Sequence, residues 1–211
     1  MKPLIPETEV KTINRQSNTS FMKQNMKLDG LSAVRAYRDV FGYIQDNRLN
    51  IKTAIDMMAG KGVMSSYILQ IPTLQELILN DRAEDCYQYL KDKFKHEKRV
   101  KAIWNKDYRE ISLRDSPVDL VAIDFNNFTW NKKDLVEPFK TWLEHNRDYF
   151  RYLLYCDSFY FSLKFLKDEE VREEKYQDYL KRVENELGGM RLLKEHVYQS
   201  KSCSLFLLEN Q

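Results

Sequence analysis

The chain has few cysteines, few histidines and no long apolar run, and each shortage excludes a class of protein. Its three cysteines are far apart and odd in number, so they suggest neither a disulfide framework nor paired zinc ligands. The three histidines are equally scattered, which argues against a metal centre. No run of about 18 apolar residues occurs, so the sequence predicts no membrane span. We therefore expect a cytoplasmic protein that binds no metal ion.

Neither sign of charge is in excess. Lys and Arg total 34 and Asp and Glu total 32, which leaves a net charge of +2. No overall polycation forces nucleic-acid binding, so any basic surface must be local. The N-terminal segment has no apolar core, and it therefore does not resemble a signal peptide.

The 211 residues favour one domain, and the composition is ordinary for a soluble protein, with 43% hydrophobic and 31% charged residues. Residues 1–30 are polar and contain Pro3 and Pro6, which predicts an N-terminal arm with little structure of its own. Residues 31–211 are expected to form the single domain.

Strand and helix patterns alternate along that domain. The run 118–125 is apolar almost throughout, as in parallel strands that are buried on both faces. Strand patterns cover 53–57, 76–80, 100–104, 118–125 and 149–156, and helix patterns cover 31–47, 63–70, 83–94, 135–149 and 168–187.

The alternation ends near the C-terminus. Two strand patterns, 190–199 and 203–210, are joined by only Ser200-Lys201-Ser202. A parallel pair needs a crossover of about a dozen residues, so these strands must form an antiparallel hairpin. The expected fold is α/β: a doubly wound, mostly parallel seven-stranded sheet with a C-terminal antiparallel hairpin and helices on both faces.

Glycine is scarce, with six copies, yet Gly60 and Gly62 lie together after the first strand. A P-loop would require G-x-x-x-x-G-K-[ST], whereas here Lys61 stands between the two glycines. A dinucleotide-binding turn would require a third glycine, but Ser65 occupies that position. Neither phosphate-binding motif is complete.

The order of residues resembles class I S-adenosylmethionine (SAM)-dependent methyltransferases, nucleic-acid-modifying type. Residues 56–62, "DMMAGKG", are similar to D-x-[FG]-x-G-x-G, with Met58 where many nucleic-acid enzymes have Phe. The resemblance implies that this turn brings backbone N–H groups to the methionine part of SAM. It implies that Asp81 accepts the two ribose hydroxyls, and that Asp107 accepts the adenine amino group. The implied donor-binding residues are Asp56, Met58, Ala59, Gly60, Gly62, Asp81 and Asp107.

The resemblance places the acceptor after the fourth strand. Amino-methylating enzymes of nucleic acids carry [DNS]-P-P-[YFW] there, whereas this chain has Asp124, Phe125, Asn126, Asn127 and Phe128. Both prolines are absent. The implied roles are contacts from Asp124, Asn126 and Asn127 to an N–H group of the substrate and stacking of Phe128 on a flipped base. A polar turn closed by Asn side chains is the structural alternative.

One local cluster of positive charge is relevant to whether the protein binds nucleic acid. A basic segment at 91–101 could contact phosphates, or it could be a solvated helix end. It contains Lys91, Lys93, Lys95, Lys98, Arg99 and Lys101.

These features favour methylation of an exocyclic or ring nitrogen of a nucleobase in DNA or RNA. The altered motif after strand four also allows a non-catalytic accessory protein with the methyltransferase fold. A small-molecule acceptor, a protein partner and a homodimer stay open.

Overall fold

The computed structural model describes residues 34–124, 132–157, 168–197 and 204–210. In that part of the chain, seven strands form one sheet in the order β3-β2-β1-β4-β5-β7-β6. The strands are β1 Thr53–Asp56, β2 Glu76–Asn80, β3 Val100–Trp104, β4 Val118–Asp124, β5 Phe150–Asp157, β6 Arg191–Val197 and β7 Ser204–Glu209. The helices are α1 (34–46), α2 Val63–Ile68, α3 Glu84–Phe94, α4 Lys132–Asn146 and α5 Glu169–Glu186.

The strand directions confirm the predicted sheet. β1 pairs in parallel with β2 and β4, and the parallel pairing continues from β2 to β3 and from β4 to β5. β7 pairs antiparallel with both β5 and β6, so the C-terminal hairpin is also confirmed. The last strand of the chain lies inside the sheet, and β6 forms its outer edge.

Successive residues of the central strands enter two separate cores, because side chains alternate between the faces of a sheet. In β4, Leu120 and Ala122 pack with α1, α2 and α3, whereas Val121 and Ile123 pack with α4 and α5. All four residues are buried. Helices therefore cover both faces, as the continuous apolar run in this strand predicted.

Helix α2 is shorter than its sequence pattern. It ends at Ile68. The N–H of Gln70 then donates to the carbonyl of Tyr67, three residues earlier, instead of four residues earlier as in an α-helix. Pro72 follows, and the residue before a proline is disfavoured in helical conformation. The helical pattern over 63–70 was therefore two residues too long.

The N-terminal arm (1–30) lies outside the described residues, and the division at residue 31 stays a prediction. Among the helices that are described, none combines the length and apolar character that crossing a membrane requires.

Candidate active site

The bend that follows β1 has left-handed backbone at two glycines. Gly60 has φ 54° and Gly62 has φ 67°, a conformation that glycine adopts without steric cost. A Cβ at Gly62 would lie 2.6 Å from Cε2 of Phe94, so packing against α3 requires glycine there. A Cβ at Gly60 would meet no described atom within 4 Å. Among the described residues, Gly60 therefore borders open space, and Gly62 packs the bend against the core.

Most of the bend's N–H groups serve the fold itself. Met57 donates to the carbonyl of Ala122, Ala59 to that of Asn80, Gly60 to Asp81 Oδ2, and Gly62 to the carbonyl of Ala59. The N–H of Met58 donates to the carboxylate of Asp56. The resemblance implied that such groups approach the ligand. In the structure, these donors give the bend its shape, and no described atom fills the space beside Gly60.

Asp81 connects the end of β2 to the bend. Its Oδ2 accepts the N–H of Gly60 at 2.7 Å, and its Oδ1 accepts the N–H of Ala83 at 2.9 Å, at the start of α3. An ionised carboxylate has about four acceptor sites, so each oxygen keeps capacity for a hydroxyl group. The side chain is half-buried. Asp81 is thus held in place by backbone donors at the edge of the sheet.

Asn80 joins the ends of three strands, a role that the sequence did not reveal. It is buried, and its amide donates to the carbonyls of Met57 at 2.9 Å and Lys106 at 3.0 Å. Its Oδ1 accepts the N–H of Lys106 at 3.1 Å. In the sequence, the only sign of this role is that Asn80 precedes Asp81. The hydrogen-bond partners of Asn80 are distant in sequence, so the sequence did not identify them.

Asp56, the last residue of β1, is fully buried. Its Oδ2 accepts the hydroxyl of Ser65 at 2.6 Å, whereas its Oδ1 has no hydrogen-bond partner among the described residues. Burial, reinforced by the negative charges of Asp124 and Asp81, raises the pKa of Asp56 to about 7. The Ser65 hydroxyl opposes that rise.

The register of the sheet brings the three acids together. Asp56 is level with Leu79 of β2 and with Ala122 of β4. Asp81 and Asp124 therefore each lie two residues beyond it, on either side. The carboxyl edge of the sheet thus carries a buried acid between two half-buried ones.

The carboxylate of Asp107 already accepts hydrogen bonds from two arginines. Its Oδ1 accepts the backbone N–H and Nε of Arg109 at 3.0 and 2.8 Å. Its Oδ2 accepts Nη2 of Arg109 at 2.6 Å and Nη1 of Arg82 at 3.5 Å. The hydrogen bonds from Arg109 lower the pKa of Asp107 to about 2. An adenine amino group could reach this carboxylate only by displacing one of these contacts.

Asp124 ends β4, where the acceptor was expected. Its Oδ2 accepts the hydroxyl of Tyr37 at 3.2 Å, although Tyr37 belongs to α1 and is 87 residues away in sequence. The ring of Tyr37 packs on that of Tyr67 in α2, with centroids 5.3 Å apart. The helix pattern over 31–47 includes Tyr37, but it does not show that the hydroxyl of Tyr37 reaches the site. The other acceptor-side residues, Asn126, Asn127 and Phe128, lie outside the described residues.

The basic segment at 91–101 has mixed roles. Lys93 Nζ donates to the carbonyls of Lys61 and Gly62 at 3.0 and 3.2 Å, so it holds the glycine bend against α3. Arg99 pairs with Glu97 and donates to the carbonyl of Leu69 at 2.7 Å. The remaining cations are exposed, namely Lys91, Lys95, Lys98 and Lys101.

Comparison with known proteins gives a likeness in structure alone. No protein-family model matches the chain, and no curated protein matches it in sequence. Magnesium protoporphyrin IX methyltransferase from Synechocystis, with bound S-adenosylhomocysteine (SAH), has a TM-score of 0.65 and 8% identity, over 97% of this chain and 94% of that one. A SAM-dependent methyltransferase from Aquifex aeolicus has a TM-score of 0.58 and 15% identity, over 98% and 100% of the two chains.

A third solved structure is a Pyrococcus horikoshii protein that has been proposed to be an RNA methyltransferase. Its TM-score is 0.56 and its identity 17%, over 86% of this chain and 84% of that one. The descriptions of two of these proteins name different kinds of molecule, a porphyrin and RNA, and all three are distant in sequence. Together with the strand order and the terminal hairpin, they show that the chain has the fold of class I SAM-dependent methyltransferases.

Proposed function

We propose that the protein is a SAM-dependent methyltransferase that methylates a nitrogen atom of a nucleobase in DNA or RNA. The contact between Gly60 and Asp81 carries this proposal, because it places an open glycine bend beside a carboxylate at the edge of the sheet. Bound SAH in one structure of the same fold supports SAM as the donor. Ligands of open α/β sheets bind at this edge, where the order of strands reverses.

The residues present fit such a donor. A Cβ at Gly60 would meet no described atom, so the bend has room for a ligand. The carboxylate of Asp81 is held by two backbone donors and keeps acceptor sites for ribose hydroxyls. Asp81 and Asp124 supply negative charge on either side of Asp56, where a cationic donor would bind.

When bound, SAM supplies a methyl group on a positively charged sulfur, which keeps the electron pair of the C–S bond as the N–C bond forms. The protein has then to align the acceptor nitrogen and exclude water, and alignment can supply several kcal/mol of the barrier reduction. Asp124 is suited to accept an N–H of the acceptor amine, and Tyr37 holds that carboxylate. The nitrogen loses one proton to solvent as the new bond forms.

The nucleobase is the more specific part of the proposal. It is supported by the carboxylate at the end of β4, which suits a polar N–H target, and by the exposed lysines of the basic segment. One protein with the same fold has itself been proposed to be an RNA methyltransferase, which agrees with a nucleic-acid acceptor.

A second candidate is a non-catalytic protein of the same fold. One observation favours it: both oxygens of Asp107 are already used by Arg109 and Arg82. A donor would then lack the adenine contact that the resemblance implied.

Two measurements separate these functions. Calorimetry with SAM and SAH on the full chain tests donor binding, and transfer of a radiolabelled methyl group to total RNA and DNA tests turnover. We expect micromolar donor binding and labelled nucleic acid, with Asp124→Asn keeping donor binding and losing transfer by about 100-fold or more, as for loss of a well-placed catalytic group. Binding without transfer would favour the accessory protein, and no binding at millimolar concentration would overturn the proposal.

A further inference from the structure

Asp56 combines three properties that the proposed methyl transfer does not by itself require. It is fully buried, one of its oxygens has no hydrogen-bond partner among the described residues, and a carboxylate lies on either side of it, Asp81 just after β2 and Asp124 at the end of β4. A buried, incompletely paired carboxylate is costly to ionise unless a positive charge lies nearby. In the part of the chain that the structure describes, no cation forms an ion pair with it.

The groups that face Asp56 come from each neighbouring element. Ser65 of α2 donates its hydroxyl, Asp81 lies beyond the end of β2, and Asp124 ends β4 with the Tyr37 hydroxyl on it. The two acids disfavour a third negative charge, while the hydroxyl and the backbone N–H of Met58 favour it. On balance, Asp56 stays protonated to a higher pH than an ordinary aspartate does, because its pKa is about 7.

The two adenosyl molecules of the proposed reaction differ in charge at the sulfur atom. SAM carries a sulfonium cation, whereas its product SAH is a neutral thioether. A nearby cation favours the ionised form of a carboxylate, and a neutral group does not.

Resting on the proposed function, we propose that Asp56 is a specificity-determining residue that discriminates donor from product by charge. Below about pH 7 it holds a proton in the free protein, and it releases that proton when the sulfonium binds. After transfer the positive charge has left the sulfur, so Asp56 takes a proton up again and the product loses its electrostatic advantage.

The test measures the affinities of SAM and SAH by calorimetry at pH 5.5 and 7.0. This range lies below the titration of an α-amino group at about 7.7–8.0, so the amine of the ligand keeps its charge. We expect the affinity for SAM to fall about tenfold from pH 7.0 to 5.5, because each pH unit below the pKa of the free protein weakens binding by up to ten. The affinity for SAH should change by less than about twofold, because its binding releases no proton.

Buffers of different ionisation enthalpy count the protons directly. At pH 6 we expect SAM to release close to one proton and SAH to release none. Asp56→Asn should abolish both the proton release and the pH dependence for SAM.

Ser65→Ala keeps the proposal falsifiable if Asp56→Asn does not fold. It removes the hydroxyl that favours the ionised form, so the fall in SAM affinity should begin at a higher pH. Glu195→Gln is the matched control, because Glu195 also has a raised pKa, of about 7, but lies on β6, with β4, β5 and β7 between it and β1. Glu195→Gln should leave the pH dependence of SAM affinity and of SAH affinity unchanged.

The outcomes are distinguishable. If both ligands bind with parallel pH profiles, or if Ser65→Ala leaves the profile unchanged, Asp56 does not discriminate by charge and the proposed methyltransferase function still stands. If neither ligand binds at any pH, the proposed function itself fails.

Discussion

The backbone N–H of Gly60 donates a 2.7 Å hydrogen bond to Oδ2 of Asp81, which joins the bend after β1 to the end of β2. The same carboxylate accepts the N–H of Ala83 at the start of α3. Hydrogen bonds to an ionised acceptor are stronger than neutral ones. This one side chain therefore fixes the bend against the end of β2, beside the position in which we place the donor.

Asp81→Asn should weaken SAM binding by about 10- to 100-fold, because an amide has one acceptor oxygen where the carboxylate has two, and carries no charge. The free energy of unfolding should fall by about 1–2 kcal/mol from the lost backbone contact. Calorimetry and urea unfolding measure the two effects. Asp92→Asn, an exposed carboxylate on α3, is the control and should change neither. Unaltered SAM affinity in Asp81→Asn would refute the assigned role.

Gly62→Ala and Gly60→Ala should separate packing from binding. At Gly62 the new methyl group would collide with Phe94 at 2.6 Å and Leu90 at 3.0 Å. We expect a loss of about 2–4 kcal/mol in unfolding free energy from overpacking and left-handed backbone combined. At Gly60 we expect a loss of only about 1 kcal/mol in unfolding free energy, from the left-handed backbone. The methyl group there would enter the space that we assign to the donor. Urea unfolding and SAM titration of both variants test this, and equal stabilities would contradict it.

Asn80→Ala should be among the more destabilising polar substitutions in the chain. It leaves the carbonyls of Met57 and Lys106 and the N–H of Lys106 without their buried partner. Unsatisfied buried groups cost about 1–3 kcal/mol each, so we expect a loss of about 2–4 kcal/mol. Asn105→Ala removes one exposed hydrogen bond, to the carbonyl of Asp81, and should cost less than about 1 kcal/mol. Similar unfolding midpoints for the two variants would show that the Asn80 network is not needed.

Glu195→Gln should raise stability at pH 8 but not at pH 4. Burial, and then the charge of Glu173 on α5, raise the pKa of Glu195 from 4.5 to about 7. The pKa of Glu195 is higher in the folded protein than in the unfolded chain. Its contribution to the free energy of unfolding is therefore complete below about pH 4.5 and is lost as the pH rises to about 7. The uncharged Gln avoids that loss. Urea midpoints of wild type and variant at both pH values measure it, and an equal shift at both would contradict the titration. Asp56 titrates in the same direction in both proteins, so the difference between them isolates Glu195.

Most strands and the terminal hairpin followed from local patterns. The alternation of apolar strands and amphipathic helices, with only three residues joining the last two strands, was enough to predict a mostly parallel sheet with an antiparallel end. Asp56, Gly60 and Asp81 were named as donor-binding candidates through the resemblance to class I methyltransferases, and the structure places them at the carboxyl edge of the sheet.

What each carboxylate does was decided by contacts between residues far apart in the chain. Asp107 stands after β3, as the resemblance implied, but Arg109 and Arg82 occupy its oxygens. Tyr37 reaches Asp124 across 87 residues, and no spacing rule gives the direction of a buried hydroxyl.

By itself, the sequence determined the elements, their order and the acids and glycines at the strand ends, because these depend on period, turn chemistry and connection length. The tertiary structure alone decided that β7 lies between β5 and β6, and that Asp56 is buried between two other acids. Register and burial depend on how distant segments pack, and the energy of a charge depends on its surroundings in three dimensions.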